Sequence, residues 1–158
     1  MNTAPICQAL AQGLMEREWL MSTAESCTGG MIAARCTDLA GSSAWFERGF
    51  VTYSNAAKEE LLGVDAQLIS QHGAVSEAVA KAMALGAFQN ARAQVSVAVT
   101  GVAGPTGGNV DKPVGTVWFA WCINGAVDAQ KMFFPGDRAA VREATTAHAL
   151  QGLLTRIA

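Results

Sequence analysis

The stretch VSVAVTG, residues 95–101, constrains the possible fold more strongly than any other part of the sequence. Such a compact β-branched run is typical of a strand that is buried on both faces. Helix-like and strand-like segments alternate along the chain until a hairpin follows near the end, joined at Asn124-Gly125. This order predicts an α/β fold: a three-layer α/β/α sandwich with a mixed, mostly parallel sheet.

Local signals predict where the elements lie. Asn55, Ser76 and Asp137 are each placed to cap a following helix. No internal repeat or long linker is visible, so residues 1–158 are predicted to form a single domain. Helices are predicted from about residue 2 to 15 and over 31–41, 56–63, 65–71, 76–93 and 138–157. Strands are predicted over 20–23, 46–53, 95–101, 114–123 and 127–134.

Composition excludes several classes of protein. The chain is 51% apolar with a formal net charge of −2, which argues against disorder and shows no basic surplus for binding nucleic acid. The N-terminus resembles neither a signal peptide nor a membrane anchor, and no run approaches the roughly 20 apolar residues of a membrane span. The four cysteines form no CxxC pair, which favours reduced thiols in a cytoplasmic protein.

The stretch TAESCTGG, residues 23–30, gathers reactive groups at a predicted strand-to-helix turn. Ser26 or Cys27 would stand at a helix start, whose free N–H groups favour a developing oxyanion. Plain capping is the alternative, with Ser26 or Thr28 bonded to the helix N–H groups and Glu25 favouring the dipole. The loops TYSN and TGVAGPTGG also follow predicted strands, so the three polar loops are expected to converge at one sheet edge.

A serine nucleophile needs a base, and the sequence offers histidine or lysine. Neither His72 nor His148 has an evident carboxylate partner, so a Ser-His-Asp triad is unsupported. Lys58 lies in the predicted first turn of a helix, where a cation is disfavoured, and Tyr53 could relay a proton or orient it. The alternative is a solvated surface lysine beside a strand-end tyrosine.

The glycine-rich loop after residue 100 suggests phosphate binding by composition more than by motif. It matches neither a Walker loop nor GxGxxG. No HExxH or cluster of metal-ligating residues is visible, so the sequence predicts no metal.

Several longer motifs occur in a fixed order: AESCTGG, AGSSAWFERGFVTYSN-AAK, HGAVSE, TGVAGP, KPVGTVWFA and GDR. Together they resemble the CinA C-terminal domain family over roughly residues 10–154. The resemblance implies an α/β/α fold, a homo-oligomer, no metal or cofactor, and hydrolysis of the carboxamide of nicotinamide mononucleotide in pyridine nucleotide recycling.

The resemblance also implies roles for individual residues. Ser26, Tyr53 and Lys58 occupy the positions of the family's catalytic motifs. The phosphate would lie against the loop from Gly101 to Gly108, or be held by arginines that share one helix face. The residues expected to bind the small-molecule nucleotide are Glu25, Thr28, Gly29, Gly30, Thr100, Gly101, Gly104, Arg138 and Arg142.

Two alternatives stay open. The first is an amidase that uses Cys27 as its nucleophile. The second is a nucleotide-binding or regulatory module without turnover.

Overall fold

The structure, a computed structural model, describes residues 2–158. The strands are β1 (Met21–Glu25), β2 (Phe46–Val51), β3 (Val95–Gly101), β4 (Thr116–Ile123) and β5 (Ala126–Phe133). The α-helices are α1 (Ala4–Glu16), α2 (Met31–Thr37), α3 (Asn55–Leu62), α4 (Ala66–His72), α5 (Glu77–Gln89) and α6 (Arg138–Ile157). A 3-10 turn at Ser42–Ala44, which the sequence did not predict, precedes β2.

The five strands form one sheet in the order β2-β1-β3-β4-β5. Strands β2, β1 and β3 are parallel neighbours, whereas β4 pairs antiparallel with both β3 and β5. Four strands therefore run in one direction and only β4 opposes them. The predicted three-layer fold with a mixed, mostly parallel sheet is confirmed.

Helices cover both faces of the sheet, and alternate residues of β3 face the two hydrophobic cores that result. Val95, Val97 and Val99 face a core shared with α1, α2 and α6. Ala98 faces the second core, built with α3, α4 and α5. Ser96 shares that side and donates its hydroxyl to the Ala84 carbonyl of α5, 2.7 Å away. Small residues on this side let α5 pack closely against the sheet.

Close packing also fixes α3 against α5. A Cβ atom added to Gly86 would lie 2.1 Å from the carbonyl oxygen of Leu62, the last residue of α3. No side chain fits there, so glycine allows α5 to approach the end of α3. This contact fixes the helix that carries Lys58.

The predicted caps are partly confirmed. The hydroxyl of Ser76 and the carboxylate of Asp137 accept N–H bonds at the starts of α5 and α6. The Asn55 prediction was wrong: the Ser54 hydroxyl accepts from Ala57 and caps α3, and Asn55 is the first helical residue. Two adjacent polar residues both suit a cap, and Ser54 has the required extended backbone.

Among the strand boundaries that differ from prediction, those of β1 and β2 affect the site. Strand β1 extends to Glu25, because residues 21–25 are all buried and pair with both β2 and β3. Strand β2 ends at Val51, two residues before Tyr53. Glu25 is therefore the last residue of a buried strand, and Tyr53 lies in the loop that follows β2.

Candidate active site

The C-terminal ends of the three parallel strands meet at one edge of the sheet, beside a cleft of about 370 Å³. The convergence predicted for the three polar loops is confirmed, since each contributes to the lining. The predicted site residues that line the cleft are Ser26, Tyr53, Lys58, Thr100, Gly101, Gly104 and Arg138. Cys27, the alternative nucleophile, lines it too.

Ser26 and Lys58 are in direct contact in this cleft. Lys58 Nζ lies 3.2 Å from Ser26 Oγ, and the lysine is 1% exposed. Lys58 is the fourth residue of α3, and its N–H donates to the carbonyl of the Ser54 cap. The alternative of a solvated surface lysine is therefore wrong.

Two main-chain carbonyls complete the surroundings of Lys58 Nζ. It donates to the carbonyl oxygens of Thr52, at 3.0 Å, and Tyr53, at 3.2 Å. Burial lowers the pKa of Lys58 because the charged amine loses its water, and the nearby Cys27 opposes this shift. The lowered pKa has the direction that a general base needs.

Hydrogen bonds to the Glu25 side chain hold the turn that carries Ser26. The buried carboxylate of Glu25 accepts bonds from the Thr28 hydroxyl and from the backbone N–H groups of Ile32 and Ala33. These bonds cap α2, which begins only at Met31. The expectation that Ser26 and Cys27 stand at a helix start is wrong, as is the expectation that Ser26 or Thr28 is the cap. The carboxylate of Glu25 caps α2 instead, through the N–H groups of Ile32 and Ala33.

The glycine pair lets the chain turn from β1 into α2. Gly29 has φ +60° and Gly30 has φ +110°. Residues with a Cβ atom rarely adopt these angles. Neither glycine lines the cleft, nor do Glu25 and Thr28. All four shape the turn rather than the cleft wall.

Cys27 is buried beside the nucleophile candidate and its thiol is hard to ionise. It is 5% exposed. Burial raises the pKa of Cys27 to about 12, and the negative charge of Glu25 adds to the effect. Because the thiolate is the nucleophilic form of cysteine, this thiol is poorly suited to attack an amide.

Tyr53 and Arg138 meet at the mouth of the cleft. Arg138 donates to the Gly104 carbonyl at 2.8 Å and to the Tyr53 hydroxyl at 3.3 Å. The Tyr53 side chain is 62% exposed, and it reaches Lys58 only through its own backbone carbonyl. Of the two predicted tasks, Tyr53 orients the lysine with its main chain, and no hydroxyl relay to Lys58 is formed.

Arg142 and both histidines lie outside the cleft lining. Arg142 donates to the carbonyls of Cys27 and Thr28. His148 packs 4.6 Å from the ring of Phe119 and bonds to Gln130. A Ser-His-Asp triad is therefore not assembled at Ser26.

Other residues at the cleft were missed by sequence reasoning. Asn55, the last residue of the TYSN stretch, was predicted only as a helix cap, although its position in a polar loop after a strand was a signal for the site. Ala74 and Val75, which precede α5, were also missed, because small apolar residues carry no chemical signal. The remaining wall comes from the glycine-rich loop that the sequence predicted to face the phosphate, namely Val102, Ala103, Thr106 and Gly107. In residues 2–158 no three His, Cys, Asp or Glu side chains are grouped in a way that could hold a metal ion. No helix of that stretch has the length and apolar character to span a membrane.

Comparison with known proteins gives consistent matches along the chain. The model of the CinA C-terminal domain family matches residues 3–157. Nicotinamide-nucleotide amidohydrolase PncC of Escherichia coli is 53% identical over 149 residues, covering 94% of this chain and 90% of that protein. The protein of the same name from Pseudomonas putida is 55% identical over 134 residues, covering 85% and 84% of the two chains.

The fold also matches solved structures. The crystal structure of the competence damage-inducible protein A (ComA) from Klebsiella pneumoniae superposes with a TM-score of 0.96 at 39% identity. The match covers 99% of this chain and 98% of that one.

Proposed function

The chain belongs to the CinA C-terminal domain family and is an amidohydrolase, and from that premise we propose that it hydrolyses nicotinamide mononucleotide to nicotinate mononucleotide and ammonia. The observation that carries the proposal is the buried contact between Lys58 Nζ and Ser26 Oγ in the cleft. The names of the relatives support the pyridine-nucleotide amide as substrate. We further propose that the enzyme acts in the cytoplasm as a single-domain homo-oligomer that recycles pyridine nucleotides.

The contacts of Lys58 favour a role as base. A tetrahedral amine has three directions besides its bond to carbon. The carbonyls of Thr52 and Tyr53 only accept, so they take two N–H bonds in either protonation state. In the neutral amine, the lone pair is left facing Ser26 Oγ. Burial favours this neutral form by lowering the pKa.

The proposed reaction has two stages. Ser26 Oγ attacks the carboxamide carbon while its proton passes to Lys58 Nζ, and the carbonyl electron pair moves onto oxygen. When the carbonyl re-forms, the C–N bond breaks and the leaving nitrogen takes the proton from Lys58 and departs as ammonia. Water then attacks the acyl-serine with Lys58 again as base, which releases nicotinate mononucleotide and restores Ser26.

The turn after Ser26 supplies a donor for the oxyanion. The N–H of Gly29 is bonded to the Ser26 carbonyl, and that of Met31 to the Thr28 carbonyl. In residues 2–158 the N–H groups of Cys27, Thr28 and Gly30 have no hydrogen-bond partner. Of these three residues only Cys27 lines the cleft, so we assign the oxyanion to the Cys27 N–H.

Arg138 is the preferred ligand of the substrate phosphate. It lines the cleft mouth, and its bonds to Gly104 and Tyr53 leave further N–H groups of the guanidinium free. The loop from Gly101 to Gly107 forms the adjacent wall. Arg142 is a weaker candidate, because its guanidinium is already bonded to the carbonyls of Cys27 and Thr28 and the residue does not line the cleft.

Ammonia release by the purified protein tests the proposal. Nicotinamide mononucleotide, nicotinamide riboside and free nicotinamide serve as substrates, with and without EDTA. We expect ammonia and nicotinate mononucleotide from the first compound, unaffected by EDTA. Tight binding of the mononucleotide without ammonia would favour the regulatory module, and activity that EDTA abolishes and one divalent ion restores would overturn the metal-free mechanism.

A further inference from the structure

Lys58 Nζ contacts three oxygen atoms, and only one of them can exchange donor and acceptor roles with it. The carbonyl oxygens of Thr52, at 3.0 Å, and Tyr53, at 3.2 Å, can only accept hydrogen bonds. Ser26 Oγ, at 3.2 Å, can both donate and accept. The direction of the hydrogen bond between Lys58 and Ser26 therefore depends on whether the lysine is protonated.

The neutral amine prepares Ser26 Oγ for attack. Its two N–H groups go to the two carbonyls, so its lone pair accepts the proton of the Ser26 hydroxyl. The remaining lone pairs of Ser26 Oγ are then presented to the cleft, which this serine lines. An electrophilic carboxamide carbon suits this arrangement, whereas the negative oxygens of a carboxylate are repelled by it.

The charged form of Lys58 reverses the hydrogen bond. An ammonium group has three N–H donors and no acceptor, so the third donor is given to Ser26 Oγ. The proton of the Ser26 hydroxyl is then free to turn into the cleft as a donor, with a positive charge 3.2 Å away. A hydroxyl donor beside a buried cation is an arrangement that binds a carboxylate.

The charges at the cleft also favour a carboxylate ligand. In residues 2–158 the side chains of Lys58 and Arg138 are the charged ones in the cleft lining, and both are positive. The carboxylate of Glu25 is buried outside the lining and is bonded to Thr28 and to the start of α2. Cys27 keeps its proton, because burial raises its pKa to about 12.

Other ionisable groups near Lys58 do not take its place. The Tyr53 hydroxyl is bonded to Arg138 at the cleft mouth. Strand β2 and helices α4 and α5 pack against α3. The ionisable groups of these elements are exposed or bonded to one another: Glu59 and Glu60 on α3, Asp65 and His72 at the two ends of α4, and the ion pairs Glu47–Arg48 on β2 and Glu77–Lys81 on α5.

We propose that the cleft has a second, proton-linked mode of binding, in which it holds the carboxylate of the reaction product against Ser26 with Lys58 charged. The inference rests on the proposed function, which supplies nicotinate mononucleotide as that product. One carboxylate oxygen accepts from the Ser26 hydroxyl, and the other accepts from the Cys27 N–H, the donor assigned to the oxyanion. Binding takes up one proton from water, so the product is an inhibitor that weakens as the pH rises.

The last chemical step of turnover forms this state directly. Water attacks the acyl-serine, one of its protons passes through Lys58 to Ser26 Oγ as the ester bond breaks, and the product is a carboxylic acid. This acid is far stronger than an alkylammonium, so its proton passes to Lys58. The lysine can act as base again only after the carboxylate leaves and the proton is lost to water. Burial lowers the pKa of Lys58 and so favours that loss.

Isothermal titration calorimetry of the wild-type protein with nicotinate mononucleotide tests the inference. The heats of binding in buffers of different ionisation enthalpy give the number of protons taken up. Ribose 5-phosphate is the control ligand, because it has the sugar and the phosphate without the carboxylate. The titrations cover about pH 7 to 10, which lies above the second phosphate pKa of about 6 and spans a lowered lysine pKa.

Two variants separate the charge of residue 58 from its titration. Lys58→Arg keeps a permanent cation, and Lys58→Met has none. We expect the first to bind nicotinate mononucleotide with an affinity that does not change over this pH range, and the second to bind it more weakly. Neither variant should take up a proton. Circular dichroism checks that both are folded.

We expect the wild-type protein to take up about one proton with nicotinate mononucleotide and none with ribose 5-phosphate above the pKa of Lys58. The dissociation constant of the product should rise about tenfold per pH unit in that range. An affinity that does not change with pH, equal uptake with both ligands, or uptake that persists in Lys58→Met would overturn the inference.

The outcome is separate from the test of the proposed function. Proton-linked binding of nicotinate mononucleotide without release of ammonia from the amide would refute the proposed reaction and leave the carboxylate site in place. Release of ammonia without proton-linked binding of the product would overturn this inference alone.

Discussion

Lys58 Nζ lies 3.2 Å from Ser26 Oγ, although 32 residues separate them in the chain. The contact follows from topology. Strands β1 and β2 are parallel neighbours, so the turn after β1 and the helix after β2 start at the same edge of the sheet. Lys58 then reaches back along the start of α3, where the carbonyls of Thr52 and Tyr53 hold its nitrogen. The pair is thus positioned by two strand ends rather than by a local motif.

Replacement of Ser26 by alanine should abolish turnover without disturbing the fold. Its hydroxyl bonds to Lys58, which keeps its two carbonyl acceptors in the variant. We expect kcat to fall by on the order of 10⁴ or more, as for other nucleophiles. Ser22→Ala is the matched control, because the buried Ser22 hydroxyl bonds only to the Ala87 carbonyl. That variant should keep its kcat, and more than a tenth of wild-type kcat in Ser26→Ala would remove Ser26 as nucleophile.

Cys27 should be dispensable for catalysis. Its burial and raised pKa leave almost no thiolate at neutral pH. We expect Cys27→Ala to retain kcat within about tenfold, with a modest loss of stability of about 1 kcal/mol from the small cavity. Iodoacetamide at pH 7.5 should leave the native enzyme active. An inactive but folded Cys27→Ala protein would restore the cysteine amidase as the better explanation.

Arg138 should determine the preference for a phosphorylated substrate. We expect Arg138→Ala to lower kcat/KM for nicotinamide mononucleotide about 10- to 100-fold, the size of one charge-assisted hydrogen bond. The riboside lacks the phosphate, so its kcat/KM should fall much less. The measured quantity is the ratio of the two kcat/KM values in wild type and variant. An unchanged ratio would place the phosphate elsewhere.

Gly86→Ala should destabilise the protein strongly. The added Cβ would meet the backbone carbonyl of Leu62 at 2.1 Å, and backbone yields less easily than a side-chain end. We expect a loss of about 3 kcal/mol in the free energy of unfolding, measured by urea denaturation. Gly13→Ala is the control, since it lies in α1 and its Cβ would meet only side-chain atoms, of which the nearest is Ile157 Cδ1 at 3.2 Å. Equal stability of the two variants would show that α5 can move away from α3.

The sequence was sufficient to predict the architecture because its signals were local and repeated. The β-branched run of β3, the Asn124-Gly125 hairpin and the caps at Ser76 and Asp137 each point to one conformation. Convergence of the three polar loops then followed from parallel strand order alone.

The failures concern residues whose role depends on distant parts of the chain. Lys58 was predicted as a catalytic residue, but the local pattern also suits an exposed helix start, and its burial depends on the packing of α3. Glu25 was read as a dipole partner, whereas the extension of β1 makes its carboxylate the cap of α2. Arg142 shares a helix face with Arg138, yet the position of α2 turns it to the Cys27 and Thr28 carbonyls. Predicting these contacts requires knowing how distant segments of the chain pack together, which local sequence patterns do not specify.

The most direct test of the Ser26–Lys58 pair is kcat of Lys58→Arg. Arginine keeps the positive charge but cannot act as a base near neutral pH. Lys81→Arg is the matched control, because Lys81 is a half-exposed lysine paired with Glu77 on α5. Circular dichroism would confirm that both variants are folded.

The pH dependence of the wild-type enzyme supplies the supporting measurement. The pKa of Lys58 is lowered, so the neutral amine forms at a lower pH than in a free lysine. Activity should therefore fall on the acid side as the amine is protonated and level off at a pH below the ordinary lysine pKa of about 10.4. The acid limb should be absent from any residual activity of Lys58→Arg.

We expect Lys58→Arg to lose on the order of 10³ or more in kcat, the scale of general-base catalysis combined with loss of the activated nucleophile. Lys81→Arg should match wild type. If a folded Lys58→Arg protein instead turns over within tenfold of wild type, residue 58 acts as a fixed cation. Lys58 would then not be the base that activates Ser26.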